Sequence, residues 1–218
     1  MQRDFTSPTS ELLAALCLDV PFTGDVSQDV PIFLNHHRCS KTILHSQQVA
    51  FEAQRIAISA GVDSKKAEIA GLLHDISAVF PVTERAIIAR KLGLEVLAEE
   101  DQCPMIIHQK LSRLIALEIF GVTDPLILNA VGCHTTLRAH PTIFDKVLFV
   151  ADKIAWDSKG TPPYATALQA ALDESLDHAV HYFLTYLWEC RQSLQVIHPW
   201  LREAYQDLLR WKPLGITP

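Results

Sequence analysis

GLLHDIS, residues 71–77, places a histidine and an aspartate side by side at His74 and Asp75. The run around it, AEIAGLLHDISAV from Ala67 to Val79, has the apolar spacing of a buried helix. Burying an imidazole or a carboxylate without a partner costs about 2–7 kcal/mol or more. The pair therefore calls for partners, and the flanking sequence is where they must be found.

Outward from this stretch, helical periodicity dominates. Upstream, residues 40–60 open at Ser40, put His45, Val49, Ala53 and Ile56 on neighbouring turns and stop at Gly61, and Asp63 or Ser64 caps the next helix. That helix carries the His-Asp pair and ends before Pro81. Downstream, Thr83 starts a helix to about Leu92, closed by Gly93, and Pro104 opens one aligning His108, Leu111, Ile115 and Ile119 before Gly121. Asp124-Pro125 begins the helix leading to His134, and Pro141 the one carrying Val147, Ala151, Asp152 and Ile154. Past Gly160-Thr161-Pro162-Pro163, one long helix is expected from about Tyr164 to Arg191 and a last one from Pro199 to about Arg210. KVLFV would suit a short strand, but no second alternating segment offers itself as a partner, so an all-α fold is expected.

Composition narrows the function classes. The 218 residues, 49% hydrophobic with only 8 Gly, suit a compact globule. A net charge of −6 gives no broad electrostatic footprint for nucleic acid. Apolar runs such as VLFVA (147–151) fall far short of the ~20 residues needed to span a bilayer. The beginning, MQRDFTSPTSELLAAL, has an acid beside its base and no long apolar core, so no signal peptide is expected. Five scattered cysteines, Cys17, Cys39, Cys103, Cys133 and Cys190, contain no C-x-x-C pair, which fits reduced thiols in a cytoplasmic protein, with Cys133 a buried one.

His45, His74, Asp75, His108, His134 and Asp152 all fall on or beside buried stripes, where each alone is expensive. Either they are satisfied separately by backbone and neighbours, or they surround a cation. Imidazole and carboxylate suit first-row divalent metals, and the absence of a cysteine cluster disfavours a soft-metal site. Adjacent helical residues diverge by about 100°, so His74 and Asp75 would reach one cavity from its wall, with the short aspartate bridging two ions.

The order H…HD…H…H…D, with HS at 45–46, AGLLHDIS at 70–77, HTT at 134–136 and ADKI at 151–154, resembles the HD superfamily of metal-dependent phosphohydrolases. Within it the chain looks most like the bacterial HD-type symmetrical bis(5′-nucleosyl)-tetraphosphatases, whose closing pattern is matched by VIHPWLREAYQDLL (196–209). The resemblance covers about residues 38–210. It implies an HD-domain helical bundle over 36–212 with its C-terminal helices, preceded by an N-terminal extension, 1–35. It implies two divalent metal ions, iron before manganese, nickel, cobalt or zinc: His45, His74, Asp75 and Asp152 would hold one, and Asp75, His108 and His134 the other. His74 and Asp75 would be the catalytic pair, a water activated between the ions would attack phosphorus, and diadenosine tetraphosphate would yield two ADP. Another nucleotidase or phosphodiesterase activity, or a silent nucleotide-binding module, remains open, as does a homodimer.

Four positions depart from that group. Thr42 replaces an arginine, Ala78 a lysine and Leu137 a glycine, and IAWDSKG lacks an arginine. A lost buried cation beside a polyphosphate removes roughly 1.5–3 kcal/mol of charge-assisted hydrogen bonding. Lys153 and His140 are candidates to contact substrate, against readings as a solvated charge and a loop residue, and Lys110 and Arg138 are weaker ones. Thr135 is a third candidate; it and Thr136 either orient His134 or cap a helix end. His36-His37 is expected in a loop before the first helix, His178 and His181 in solvated or capping roles, and His198 in a structural turn. Trp156, Trp188, Trp200 and Trp211 suit packing of the C-terminal helices, with Trp156 bordering the site.

Overall fold

A computed structural model describes residues 10–156 and 160–210. Among them lie twelve α-helices, three short 3-10 helices and no strand, as expected of an all-α chain. The helices are α1 (Glu11–Leu16), α2 (Val26–His36), α3 (Ser40–Ser59), α4 (Ser64–Leu73), α5 (Arg85–Lys91) and α6 (Ala98–Gln102). There follow α7 (His108–Glu118), α8 (Pro125–Cys133), α9 (Ile143–Ile154), α10 (Ala165–Glu174), α11 (Leu176–Glu189) and α12 (Pro199–Leu208). Trp211 and the Asp157–Lys159 part of IAWDSKG lie outside the described residues, as does the start of the N-terminal stretch, 1–9.

Five helices, α3, α4, α7, α8 and α9, form the centre: α3 packs on α4 and α9, α4 on α8 and α9, and α8 on α7 and α9. Val49, Ala53, Leu73, Ile115, Val131 and Phe149 fill the space between them and are fully buried. The run KVLFV lies inside α9, whose Thr142–Asp145 capping box starts the helix. Residues before 36 share this core, since α2 packs on α3 and α4 and Phe33 contacts both Phe22 and Phe120. On the far side α11 packs on α9 and carries α10 and α12.

Capping explains most boundaries. Asp63 accepts from the N–H groups of Lys65 and Lys66, and α3 ends where Gly61 turns to φ 69°. Three boundaries differ from expectation. The helix carrying the HD pair stops at Leu73; His74 is its C-cap, and Ile76–Val79 winds as a 3-10 turn. Here the Ser77 N–H donates to Ser112 Oγ and the Ser77 hydroxyl to the carbonyl of His108, so α7 takes the bonds a continued helix would use. Pro104 opens a turn rather than a helix, and α7 begins at His108. The expected long helix breaks at Ser175, whose extended backbone ends α10 and whose hydroxyl accepts from the His178 N–H to start α11.

Candidate metal centre

Every polar residue of the expected cluster sits at or near a helix end, except His45 on the second turn of α3. His74 and His134 are the C-caps of α4 and α8, His108 opens α7, and Asp152 lies in the last turn of α9. Three helix C-termini, the negative ends of their macrodipoles, thus converge there, which favours a cation. Gly71 makes the convergence feasible: a Cβ at that position would lie 2.5 Å from Ala50 Cα and 2.7 Å from Ala50 N. Only a glycine lets α4 approach α3 so closely, and that approach brings His74 Nε2 to 3.2 Å from His45 Nε2.

All six residues meet in one place. Asp75 faces two ways, with Oδ2 3.9 and 3.6 Å from Nε2 of His45 and His74, and Oδ1 3.1 and 3.6 Å from Nε2 of His108 and His134. Asp152 Oδ1 lies 3.3 Å from His45 Nε2 and 3.6 Å from His74 Nε2. Two sets of donors are spaced to share an ion: His45 with His74 and Asp152, and His74 with Asp75 and His134. The turn that ends α4 takes Asp75 off helical geometry, so the two neighbours can line one cavity.

Tautomers decide what the cluster can bind. His74 Nδ1 lies 2.7 Å from the carbonyl of Gly71, His134 Nδ1 2.9 Å from that of Val131, and His108 Nδ1 is bonded to that of Met105. A carbonyl accepts only, so each Nδ1 carries the proton and each neutral ring turns a bare Nε2 lone pair inward. The Nε2 atoms of His108 and His134 then face each other at 2.9 Å as two acceptors. Protonating His134 does not resolve this: burial first, then His108 and His74, hold its pKa well below the ordinary imidazole value. Burial alone would raise the Asp75 carboxyl, but the positive charge of His74, His108 and His134 in their protonated forms, which a bound cation would supply when the rings are neutral, outweighs it and holds Asp75 well below the usual carboxylate range. Asp152 is likewise depressed, with Lys153 and His45 overcoming burial. Lone pairs and ionised carboxylates in one cavity fit a divalent cation.

The other candidate residues divide. Thr135 belongs to the cluster, its hydroxyl 3.2 Å from His108 Nε2 and 3.1 Å from His134 Nε2. Lys153 is turned onto Asp152 Oδ2 and lies 3.4 Å from the His134 carbonyl. His140 is exposed and paired to Asp207 on α12, with Nδ1 to Oδ1 3.1 Å. Lys110 pairs with buried Glu100 and Arg138 with Asp145. His36 ends α2 rather than lying in a loop, and His37 caps it with Nε2 3.0 Å from the Leu16 carbonyl. His198 is the N-cap of α12 and its Nε2 meets Glu100 at 3.4 Å. Leu137 has φ 57°, the left-handed backbone that suits glycine, with its side chain fully buried.

Sequence reasoning missed Gln109. Its buried amide accepts from the N–H of Thr135 and donates to Thr136 Oγ1, pinning α7 to the turn after α8, and so His108 to His134. A polar residue beside a cluster histidine on a buried stripe was the available signal.

Comparison with known proteins gives the family. The HD domain family matches residues 42–157, which hold all six clustered residues. An uncharacterized protein of the pepC 5′ region of Lactococcus lactis subsp. cremoris is 42% identical over 71% of this chain and 78% of its own length. A symmetrical bis(5′-nucleosyl)-tetraphosphatase of Bacillus subtilis is 37% identical over 56% of this chain and 62% of its own; one of Halalkalibacterium halodurans is 27% identical over 85% and 96%. The crystal structure of a predicted HD superfamily hydrolase involved in NAD metabolism from Clostridium acetobutylicum superposes with a TM-score of 0.76 at 26% identity, covering 84% of this chain and 96% of that one. Helical bundle, matched segment and relatives coincide: this chain belongs to the HD domain family and is one of its phosphohydrolases.

Proposed function

We propose that the chain cleaves dinucleoside tetraphosphates symmetrically, releasing two nucleoside diphosphates, with diadenosine tetraphosphate giving two ADP. The inward-facing lone pairs of His74, His108 and His134 around Asp75 carry this reading, since they make a site that needs divalent cations. His45, His74, Asp75 and Asp152 would hold one ion and Asp75, His108 and His134 the other. Bound there, such ions lower the pKa of water and neutralise charge on a phosphoryl group; iron is the first expectation by family resemblance.

The remaining work falls to the chain's own groups. Asp75, ionised at neutral pH, turns one oxygen to each half of the site and fixes their separation. Carbonyl bonds to Nδ1 keep the rings in the tautomer that presents Nε2. The Thr135 hydroxyl, at the rim of the His108–His134 pair, is placed to donate to an anion entering there. Lys153 can leave Asp152 once a cation occupies the site and turn its ammonium to phosphate.

The test is product analysis with the metal-loaded protein. Diadenosine tetraphosphate should give ADP alone. AMP with ATP, or a preference for releasing phosphate from mononucleotides, would overturn the symmetrical assignment; Thr42 and Ala78, in place of the cations usual in the group, make the second outcome the one to watch.

A further inference from the structure

Two large aromatic side chains stay exposed beside the metal centre, Phe51 at 64% of its surface and Trp156 at 42%. They line one groove of about 480 Å³, within the ~300–1,000 Å³ of small-molecule sites. The outer face of α3 forms one wall with Leu44, Gln47, Gln48 and Phe51, and the end of α9 forms the other with Ala155 and Trp156. Both walls run on from metal donors. Leu44 precedes His45, Phe51 stands about 9 Å further along α3, and Trp156 follows Asp152 by four residues. His45 and Asp152 meet at 3.3 Å, so the groove opens beside the contact that joins its two walls.

Trp156 is held in place from behind. Buried Tyr164 sets its ring at 88° to the indole with centroids 6.1 Å apart, and its hydroxyl donates to the Lys153 carbonyl at 3.4 Å. The indole is thereby tied to the turn that carries Asp152. Trp188 stacks on Tyr205 and Trp200 lies under the Lys110 ammonium, so those two serve the packing of the C-terminal helices, while Trp156 leaves much of its surface to the groove.

The lining selects the occupant. Among the described lining residues only Glu52 is charged, and it is paired with Arg55 at 2.9 Å, so the groove offers nothing to a phosphate. Aromatic and aliphatic surface beside the amides of Gln47 and Gln48 suits a flat, neutral ring with hydrogen-bonding edges. A nucleobase is such a ring. Eight lining residues are far fewer than the about 20–30 a side of a stable protein interface, which argues against a second copy of the chain. The larger hollow at the other end of α3, about 660 Å³, sets Asp173, Glu174 and Asp177 against Arg55 and Lys146, an acidic balance that disfavours a nucleotide.

We propose that this groove seats one nucleobase of the substrate, stacked on Trp156 and Phe51, while the phosphates reach the metal centre. The proposal rests on the nucleotide reading above, but its test does not need turnover. ADP and inorganic pyrophosphate are titrated by calorimetry into metal-loaded wild type, W156A, F51A and W156F, with melting temperature and oligomeric state measured on each. W156A and F51A should each bind ADP at least about fivefold more weakly, a factor equal to ~1 kcal/mol. W156F, which keeps a face for stacking, should stay closest to wild type. Pyrophosphate carries no ring, and its affinity should be the same in all four proteins. Unchanged ADP affinity in W156A or in F51A overturns the proposal. So do equal losses for ADP and pyrophosphate, which would mean a disturbed metal site, and a dimer that F51A dissociates with ADP affinity intact.

Trp156 also packs on Tyr164, so W156A could fail to fold. A crystal structure of the metal-loaded wild type with ADP then decides without a variant: adenine in the groove is expected, and adenine elsewhere with its diphosphate on the metal refutes the assignment. Absence of ADP binding by wild type overturns the groove, while the products from diadenosine tetraphosphate judge the reaction separately. Should that substrate not be cleaved, ADP binding that depends on Trp156 still upholds the groove.

Discussion

Replacing Gly71 by alanine separates helix packing from site chemistry. The added Cβ would sit 2.5 Å from Ala50 Cα, 2.7 Å from Ala50 N and 3.0 Å from Val49 C. Favourable carbon contacts lie at about 3.5–4.0 Å, so α3 and α4 must part by roughly 1 Å. All three near atoms are backbone, and no rotamer change relieves them. Overpacking of this kind costs about 1–3 kcal/mol, while alanine recovers about 0.8–1.0 kcal/mol of helix propensity over glycine. Because the clash is with backbone the upper end of the overpacking cost applies, and the net expectation is a loss of about 2 kcal/mol, or a Tm lower by about 4–8 °C for a domain of this size. The movement falls between His45 on α3 and His74 at the end of α4, whose Nε2 atoms are 3.2 Å apart. Metal donors tolerate only about 0.2 Å of misplacement. G71A should therefore lose metal from the His45–His74–Asp152 side while His108 and His134 stay in place. Calorimetric melting and metal analysis of the purified variant are the assay. A G71A protein with wild-type Tm and wild-type metal content would refute this view of the helix crossing.

Acidification probes the inward lone pairs. An unfolded histidine takes up a proton at about pH 6.5, whereas folded His134 resists it. Metal-free protein should thus lose stability as pH falls from about 7.5 to 5.5, by at most ~1.4 kcal/mol per pH unit for this one proton. Asp75 and Asp152, whose stabilising contribution is lost as pH falls through the ordinary carboxylate range and below it, do not titrate in that window; a flat or rising Tm on acidification contradicts the assignment. Away from the site, Glu100 is fully buried and accepts from Lys110, from His198 and from the Leu97 N–H. E100A should cost about 1–3 kcal/mol by leaving the Leu97 N–H and buried His198 without their acceptor, while Lys110 keeps the Glu95 carbonyl; the shift is read as a change in urea midpoint, and an unchanged midpoint would contradict a structural role for that network. S175A removes the cap that starts α11 and should cost about 1 kcal/mol; an unchanged midpoint would show that the break between α10 and α11 is held elsewhere.

The centre of the fold was legible because its signals are local. Asp63, Gly61 and Asp124-Pro125 mark helix ends through caps and φ preferences that act within a few residues. The cluster was legible because each of six polar side chains on apolar stripes is costly to bury alone and because their order resembles the HD pattern, which gathers them around metal. What escaped depended on tertiary contacts. The break after His74 is set by Ser77 bonding to α7, 31 residues away at His108, and the apolar spacing runs on through the 3-10 turn because Ile76 is buried as well. In α2, Pro31 inside the helix masked a segment that packing on α3 and α4 holds helical. Arg85 reads as an ordinary surface charge until its burial is seen.

Whether one carboxylate joins two metal sites is decided by the metal stoichiometry of the protein purified without added metal, measured beside D75A. Asp75 is the residue that turns an oxygen to both halves of the cluster. Two divalent ions per wild-type chain are expected, and in D75A the loss of at least one together with all phosphohydrolase activity. A D75A protein that keeps two ions and turns over at the wild-type rate would contradict a shared, catalytic Asp75.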